Sequence, residues 1–533
     1  MARRVVVVSG RIASGKTGLG DGLIDRFGAV RIQTRDVIRE LLPVEAERGK
    51  LQSAGDKLDA RTDFTWVAQA VGREASKHPV DAVLVVDSPR CKEQIDHLRS
   101  GFGQRVVHVH VTASEAELGR RYRARKGPVK EKRSYKSVLA SKTEQQVEQL
   151  AECADIVINT ERCSPEDVVI RVAARLGLYG MDPDRLVDVL VGGQWGSEGK
   201  GQVAAYLAPD YDILVRVGGP NAGHQVFGDP KRTFYHLPSG TQKAEEAQIV
   251  LGPGATIRVP KLEEEIKGVG LTPDRLSIDP HAMLIEPRDV RFEKGKLVDT
   301  IGSTGQGVGA ATARKVLRTK ARPAVRLAKD EPRLRDYVRE TTEVLDAAYA
   351  RGHRVFLEGT QGTALSLHHG EYPFVTSRDT TISGCMADSG IPPGRIRRSI
   401  MVCRSYPIRV GGESGPMGIE LNWSTIAKRS GIPKKELEGA ERTSTTNRER
   451  RVAEFNWELF HRSVSLNAPT DIALTFADYF TIKNREARRF DQLSLETREF
   501  IEEMERVACA PVSLVAVRFH YRSIIDRRTW SCP

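Results

Sequence analysis

Two glycine-rich stretches carry the residue types that grip phosphate. The first is "GRIASGKT", in which Gly10, Gly15, Lys16 and Thr17 satisfy G-x-x-x-x-G-K-[ST]. It follows strand-like "RRVVVVSG" and precedes a helix-like run to about Phe27, the context such a loop needs. There the backbone N–H groups cradle phosphates, Lys16 reaches the β/γ oxygens and Thr17 can hold Mg²⁺. A further strand-like run, "AVLVVDSPR", ends in Asp87, where a carboxylate would face the metal through water. The second stretch is "VGGQWGSEGKGQ", Val191 to Gln202, with glycines packed around Lys200 and an uncharged Ser197 beside Glu198.

The elements that must position these loops divide the chain in two. At 533 residues it exceeds one ordinary domain. Its 40% hydrophobic and 29% charged content are those of a globular protein with ample core. "RLGLYG" runs into "MDPDR", a Gly/Pro/Asp break. The expected organisation is a module over residues 1–178, a linker at 179–185 and a second module over 186–533, opened by strand-like "LVDVLVGG". The start, "MARRVVVVSG", leads straight into the first loop and reads as a buried strand rather than a signal peptide. No segment approaches the roughly 20 apolar residues of a membrane span. Seven cysteines, without any C-x-x-C pair, fit reduced thiols in a cytoplasm. A net charge of +12 allows a nucleic-acid surface. No aromatic-interleaved basic run, helix-turn-helix signal or zinc knuckle accompanies it. Pockets for phosphorylated small molecules, or an arginine-rich background, account for the charge better than a nucleic-acid surface does.

The first module resembles small nucleoside monophosphate kinases. "TRDVIRE" (Thr34–Glu40) is similar to the segment in which an arginine, here Arg39, grips the acceptor monophosphate. "DSPR" is one residue shorter than the D-G-x-P-R of adenylate kinases, so Arg90 matches less closely. "ELGRRYRARK" puts Arg120, Arg121, Arg123 and Arg125 on a helical stretch, as a phosphate-clamping lid or a solvated basic helix would. "CADIVINT" reads as the last strand. The resemblance implies a P-loop kinase fold that phosphorylates a nucleotide.

In the second module, "GGQWGSEGKG", "VRVGGPNAGH", "YHLPSG", "IGSTGQGVGAATARKV", "FLEGTQGTALSLHHGEYPFVTS" and "SYPIRVGG" occur in order. They resemble the motif series of adenylosuccinate synthetases over nearly all of residues 186–533. The resemblance implies an α/β domain with a central, mainly parallel sheet, and a ligase that joins L-aspartate to C6 of a 6-oxopurine nucleoside monophosphate. Oxide at C6 is a poor leaving group, so the family phosphorylates that oxygen from ATP or GTP before the amine displaces phosphate. By the same resemblance Gly196, Gly199, Lys200 and Gly201 hold the triphosphate, and His224 donates to the 6-phosphoryl group. Gly223, through its carbonyl, joins Ser197 as a Mg²⁺ position. Asn221, Thr304, Gln361 and Thr376 match positions that hold the monophosphate and purine. Arg318 matches an arginine sent into a partner subunit's site, which implies a homodimer. "STTNRERR" is similar to the aspartate-binding loop, with Thr446, Arg448 and Arg450 as its threonine and arginines.

Two departures bear on substrate. The family's usual residue at Ser197 is an aspartate that takes the purine N1 proton and binds Mg²⁺; a serine is too weak a base for that at neutral pH. A phage-type branch that makes 2-aminoadenine nucleotides from dGMP also has serine there. A neutral, compact hydroxyl leaves room for a 2-amino group. An IMP enzyme with another base, and a nucleotide-sensing protein without turnover, remain open alternatives. The segment that reads the triphosphate's base is "TFAD" rather than T-K-x-D: Asp478 is kept and Phe476 replaces lysine. ATP and GTP both stay open.

Overall fold

The computed structural model describes residues 4–45, 47–79, 82–124, 135–139, 142–178, 185–227, 231–318, 325–442, 449–520 and 523–528. It contains two compact units, divided between Asp182 and Pro183. Residues 179–184 of the expected linker, and Arg125, Thr446 and Arg448, lie outside the described residues. No helix among the described residues is long and apolar enough to cross a membrane.

The first unit is a five-stranded parallel sheet. Its strands run Val30–Gln33, Val83–Asp87, Arg4–Ser9, Val106–Thr112 and Ile156–Asn159 from edge to edge. The four-valine run lies at its centre because successive side chains alternate between faces. Val5 and Val7 enter a core with Trp66, Ile95 and Leu98. Val6 and Val8 enter another with Leu19, Leu23 and Val172. A strand buried on both faces must be apolar throughout, which is how this segment reads.

The second unit is built on a nine-stranded sheet. The strands run Leu276–Ile278, Gln248–Leu251, Ile213–Arg216, Val355–Glu358, Val187–Gly192, Ile396–Arg404, Asp471–Thr475, Val512–Ala516 and Ile524–Asp526. All neighbours are parallel except the last pair. Val187, Val189 and Val191 face one core, and Leu190 faces the other with Val203, Leu207 and Phe356. Asp188 is fully buried yet satisfied, by Arg397 Nη2 at 2.6 Å and Tyr211 Oη at 2.6 Å. In parallel sheets, ligands gather outside the carboxyl ends of the strands. The loop after Gly192 starts at such an end.

Both units are thus α/β with parallel sheets, as expected. Phe356 is 1% exposed between the sheet and its covering helices. Phe356→Ala is expected to cost the second unit about 3–5 kcal/mol, read as a lowered denaturation midpoint.

Candidate active site

The loop from Gly192 to Lys200 is organised by one carboxylate. Glu198 is fully buried, and its Oε1 accepts the N–H groups of Gln194 (3.0 Å) and Gly196 (2.8 Å). Its Oε2 receives Lys200 Nζ at 2.6 Å, and Lys200 also donates to the Gly196 carbonyl at 3.3 Å. Gly199 has φ 85° at the start of the helix Lys200–Leu207, a conformation that favours glycine. A Cβ on Gly196 would lie 3.1 Å from Gln361 Cα, so the loop and Gln361 can approach only with glycine there. Ser197 is half-buried, and its carbonyl accepts from Arg404 Nη1 at 3.3 Å. The helix start with its N–H groups and Gly201 is an anion site in waiting. Lys200 Nζ is thus held inside the loop by Glu198 and the Gly196 carbonyl.

Beside the loop stand the expected nucleotide-binding residues, and they leave buried polar atoms unpaired. His224 opens the short strand His224–Val226, and its Nδ1 meets Glu358 Oε1 at 2.5 Å. Its Nε2 is buried without a hydrogen-bond partner. Gln361 is buried with φ 59°, a strained backbone for a residue other than glycine. Its Oε1 receives Thr360 Oγ1 at 2.7 Å while Nε2 has no partner. Asn221 Nδ2 donates to Thr376 Oγ1 at 3.4 Å, and Asn221 Oδ1 is likewise buried and unpaired. Unpaired buried polar atoms also occur elsewhere among the described residues; these three stand on the expected ligand positions. Thr304 is half-buried. Arg318 is exposed, in a left-handed conformation at the end of the helix Val308–Leu317.

The electrostatics follow from burial. Glu358 is fully enclosed, which alone would raise its pKa. Arg216, His224 and Ser239 outweigh this and hold it down near about 2. His224 is pushed down to about 4 by burial and by Arg216. At neutral pH the imidazole is therefore neutral in the ligand-free protein. An anion arriving at Nε2 would favour the protonated, doubly donating form.

A separate cavity of about 330 Å³ is lined by Glu436, Glu441, Arg450, Phe476, Asp478, Arg485 and Phe519, among others. The Phe476 ring stacks near Phe519 (centroids 5.3 Å, 30°) and lies under the Arg404 guanidinium at 3.9 Å. Arg404 is 1% exposed and pairs with Glu441 at 2.6 Å, to which Tyr479 Oη also donates at 2.7 Å. Arg450, expected among the aspartate-binding residues, pairs with Glu441 at 3.0 Å and lines this cavity. Asp478 is 3% exposed: Oδ2 accepts Arg485 Nε at 2.9 Å, and Oδ1 is unpaired. Burial raises Asp478 to about 6 despite Arg485.

In the first unit Gly10 has φ 144° and Gly15 φ 102°, the latter at the start of the helix Lys16–Phe27. Lys16 Nζ lies inside its own loop, donating to the carbonyls of Gly10 (2.6 Å) and Arg11 (2.8 Å). Thr17 is exposed in the first helical turn, and Asp87 ends its strand with Oδ2 3.4 Å from Arg31. Arg39 is exposed in the last turn of the helix Thr34–Leu41. Of the expected lid arginines, Arg120 and Arg121 pair with Glu117 on their own helix, at 2.6 and 2.7 Å. Arg121 also donates to Thr160 Oγ1 at 2.9 Å. Arg90 faces Glu144 at 3.5 Å.

Sequence reasoning passed over Arg216, Glu358, Arg404 and Glu441. Three of them share a legible signal, a charge closing an otherwise apolar strand: "ILVR", "VFLE" and "IMVCR". Glu441 sits in a polar stretch and carries no such mark.

A parallel-sheet scaffold, a glycine loop at a strand's carboxyl end and unpaired buried polar groups around it define a nucleotide-binding enzyme. The comparisons make this specific: the adenylosuccinate synthetase family model matches residues 189–331 and 324–485. An adenylosuccinate synthetase of Pyrococcus sp. (strain ST700) is 37% identical over 348 residues, covering 64% of this chain and 98% of the relative. The chain belongs to the adenylosuccinate synthetase family. Its second unit is a ligase of that type. Fully ligated adenylosuccinate synthetase from Plasmodium falciparum has a similar fold, with a TM-score of 0.56 at 22% identity, over 64% of this chain and all of that one. Cyanophage S-2L succinoaminodeoxyadenylate synthetase (PurZ), bound to dGMP and dATP as an energy donor, matches with a TM-score of 0.54 at 27% identity. It covers 65% of this chain and 96% of that one.

His224→Asn is expected to lower turnover by about 10²–10⁴-fold with little change in nucleotide affinity, measured by steady-state kinetics and direct binding. In the ligand-free protein the imidazole NMR titration is expected near 4, below its usual value, and to move upward when a phosphorylated nucleotide binds.

Proposed function

We propose that the second unit joins L-aspartate to C6 of a 6-oxopurine nucleoside monophosphate, with GMP or dGMP preferred and IMP next. The observation that carries this preference is Ser197 in a loop where the common enzyme has an aspartate. A neutral hydroxyl beside N1 leaves room for a 2-amino group and can accept its hydrogen bond. A carboxylate there would crowd it. The likeness to a cyanophage enzyme bound to dGMP supports the same reading.

The chain's own residues divide the work as follows. Lys200, the Gly196–Gly201 backbone and the helix start grip the triphosphate as Lys200 shares its charge with Glu198. His224, oriented by Glu358, takes up a proton from solvent as the 6-phosphoryl group develops and donates from Nε2. Gln361 Nε2 donates to oxygens of the purine nucleotide, and Asn221 Oδ1 accepts from an N–H of its base, with Thr376 held by Asn221 Nδ2 and Thr304 as a further nucleotide position. Arg448, Arg450 and Thr446 bind aspartate; Arg450 gives Nη1 to Glu441, and its remaining N–H groups are the ones for aspartate. The Ser197 hydroxyl and Gly223 carbonyl are hard oxygen donors. They fit Mg²⁺, which would be held there together with water and substrate phosphates. When bound, the ion neutralises charge building on the phosphoryl oxygens. Arg318 acts in a homodimer, a reading supported by exposed Val316 (67%), Leu317 (71%) and Phe292 (54%) near it in sequence and on the adjoining helix.

The first unit, in this reading, is a P-loop kinase for a nucleotide acceptor, with Lys16, Thr17, Asp87 and Arg39 as its phosphate and metal positions. The test of the whole is mass spectrometry of products from purified protein, Mg²⁺ and aspartate with IMP, GMP or dGMP and either triphosphate.

Ser197→Asp is expected to move kcat/KM toward IMP and away from dGMP, by a few kcal/mol at most, since tenfold is about 1.4 kcal/mol. A wild type that strongly prefers IMP would exclude the 2-aminopurine reading. Lys16→Ala is expected to abolish phosphotransfer by the first unit and leave ligation intact; loss of both in a folded variant would show that the two sites are not independent.

A further inference from the structure

A chain of hydrogen bonds stands behind the amide of Gln361, and it begins at a guanidinium. Arg378 lies just ahead of the helix Ile382–Ser389, whose Cys385 and Asp388 share a face at three residues' spacing. Its head group is held by three neighbours. Nε lies 2.6 Å from Asp388 Oδ2, Nη2 donates to Cys385 Sγ at 3.7 Å, and Nη1 donates to Thr360 Oγ1 at 2.9 Å. Thr360 is 1% exposed and donates in turn to Gln361 Oε1 at 2.7 Å. Gly218 (φ 95°) clears the space: a Cβ there would collide with Thr360 Oγ1 and lie 3.1 Å from Arg378 Nη1.

The chain can run in only one direction. A guanidinium has donors and no acceptor, so Thr360 Oγ1 must accept from it. A hydroxyl carries one proton, and the Gln361 amide oxygen receives it. Turning the amide over would set Nε2 against Oγ1 and leave the buried hydroxyl proton without an acceptor, a costly exchange. Oε1 is therefore the inward atom, and Nε2, buried and unpaired, is the donor left for a ligand. Without Nη1 the hydroxyl could turn its proton into the vacated space and accept from Nε2, and both amide orientations would then be satisfied.

We infer that Arg378 and Thr360 are positioning residues that lock the Gln361 amide, Oε1 inward and Nε2 toward the bound nucleotide. They act through Gln361 and touch no substrate atom. This inference rests on the ligase reading proposed above, in which Gln361 donates to the purine nucleotide.

The experiment uses the full chain, with aspartate, Mg²⁺, GMP and each triphosphate, and measures kcat/KM for GMP alongside its calorimetric Kd. Thr360→Val is expected to lower kcat/KM by about tenfold, whereas Thr360→Ser, which keeps the hydroxyl, stays within about threefold of the parent. Arg378→Met combined with Asp388→Asn, which leaves no buried charge without its partner, is expected to fall by about the same factor as Thr360→Val. Each change is then repeated in a Gln361→Met background. There each is expected to cost less than about twofold, since no amide remains to be oriented. Equal losses with and without Gln361 would make both residues merely structural and overturn the inference, as would full activity of Thr360→Val. If no ligation product forms with ATP or GTP, the ligase reading fails instead. The same cycle read in the Kd for GMP then decides the positioning role, by the same factors.

Discussion

The second unit is arranged around the carboxylate of Glu358. A carboxylate with no access to water costs several kcal/mol unless opposite charge and donors surround it. Arg216 reaches it from the neighbouring strand, Ser239 supplies both an N–H and a hydroxyl, and His224 supplies Nδ1. Because this set is complete, the His224 ring has one orientation, and Nε2 is the nitrogen left to face a ligand. The strand Val355–Glu358 lies beside Val187–Gly192, so the histidine is aimed by the same sheet that carries the glycine loop.

A second buried pair repeats the plan on the other side of the loop. Arg404 pairs with Glu441, covers the Phe476 ring and donates to the Ser197 carbonyl. Burial would raise Glu441, but Arg404 and Arg450 outweigh it and hold the carboxyl near about 2. The loop residue expected to meet the purine and the cavity expected to meet the triphosphate's base therefore share one guanidinium. A change at either is felt at the other through a group that has no freedom to turn.

Much of this was legible in the sequence, for definable reasons. Central strands buried on both faces have to be continuous apolar runs, so "RRVVVVSG" and "LVDVLVGG" read directly as Arg4–Ser9 and Val187–Gly192. The two glycine loops were legible because positive φ and close approach exclude other residues. The aspartate-binding role of Arg450 was read from motif position alone, and spacing says nothing of its pairing with Glu441 nine residues before it. The same limit hid Arg378: only three dimensions show that it donates to Thr360, 18 residues away. The lid arginines illustrate the converse, since Arg120 and Arg121 lie where a helix makes Glu117 their natural neighbour at three and four residues' separation.

Both phosphate-loop lysines are already satisfied inside their own loops, Lys16 by two carbonyls and Lys200 by Glu198 and a carbonyl. Each loop thus keeps its shape with nothing bound, and ligand capture is an exchange rather than an addition. A single phosphate offers too few contacts to displace these internal bonds and gain much. A triphosphate, whose many oxygens engage backbone N–H groups and lysine together, crosses that threshold. On the phosphate-binding reading proposed above, this internal bonding would disfavour small anions and favour polyphosphates in both loops.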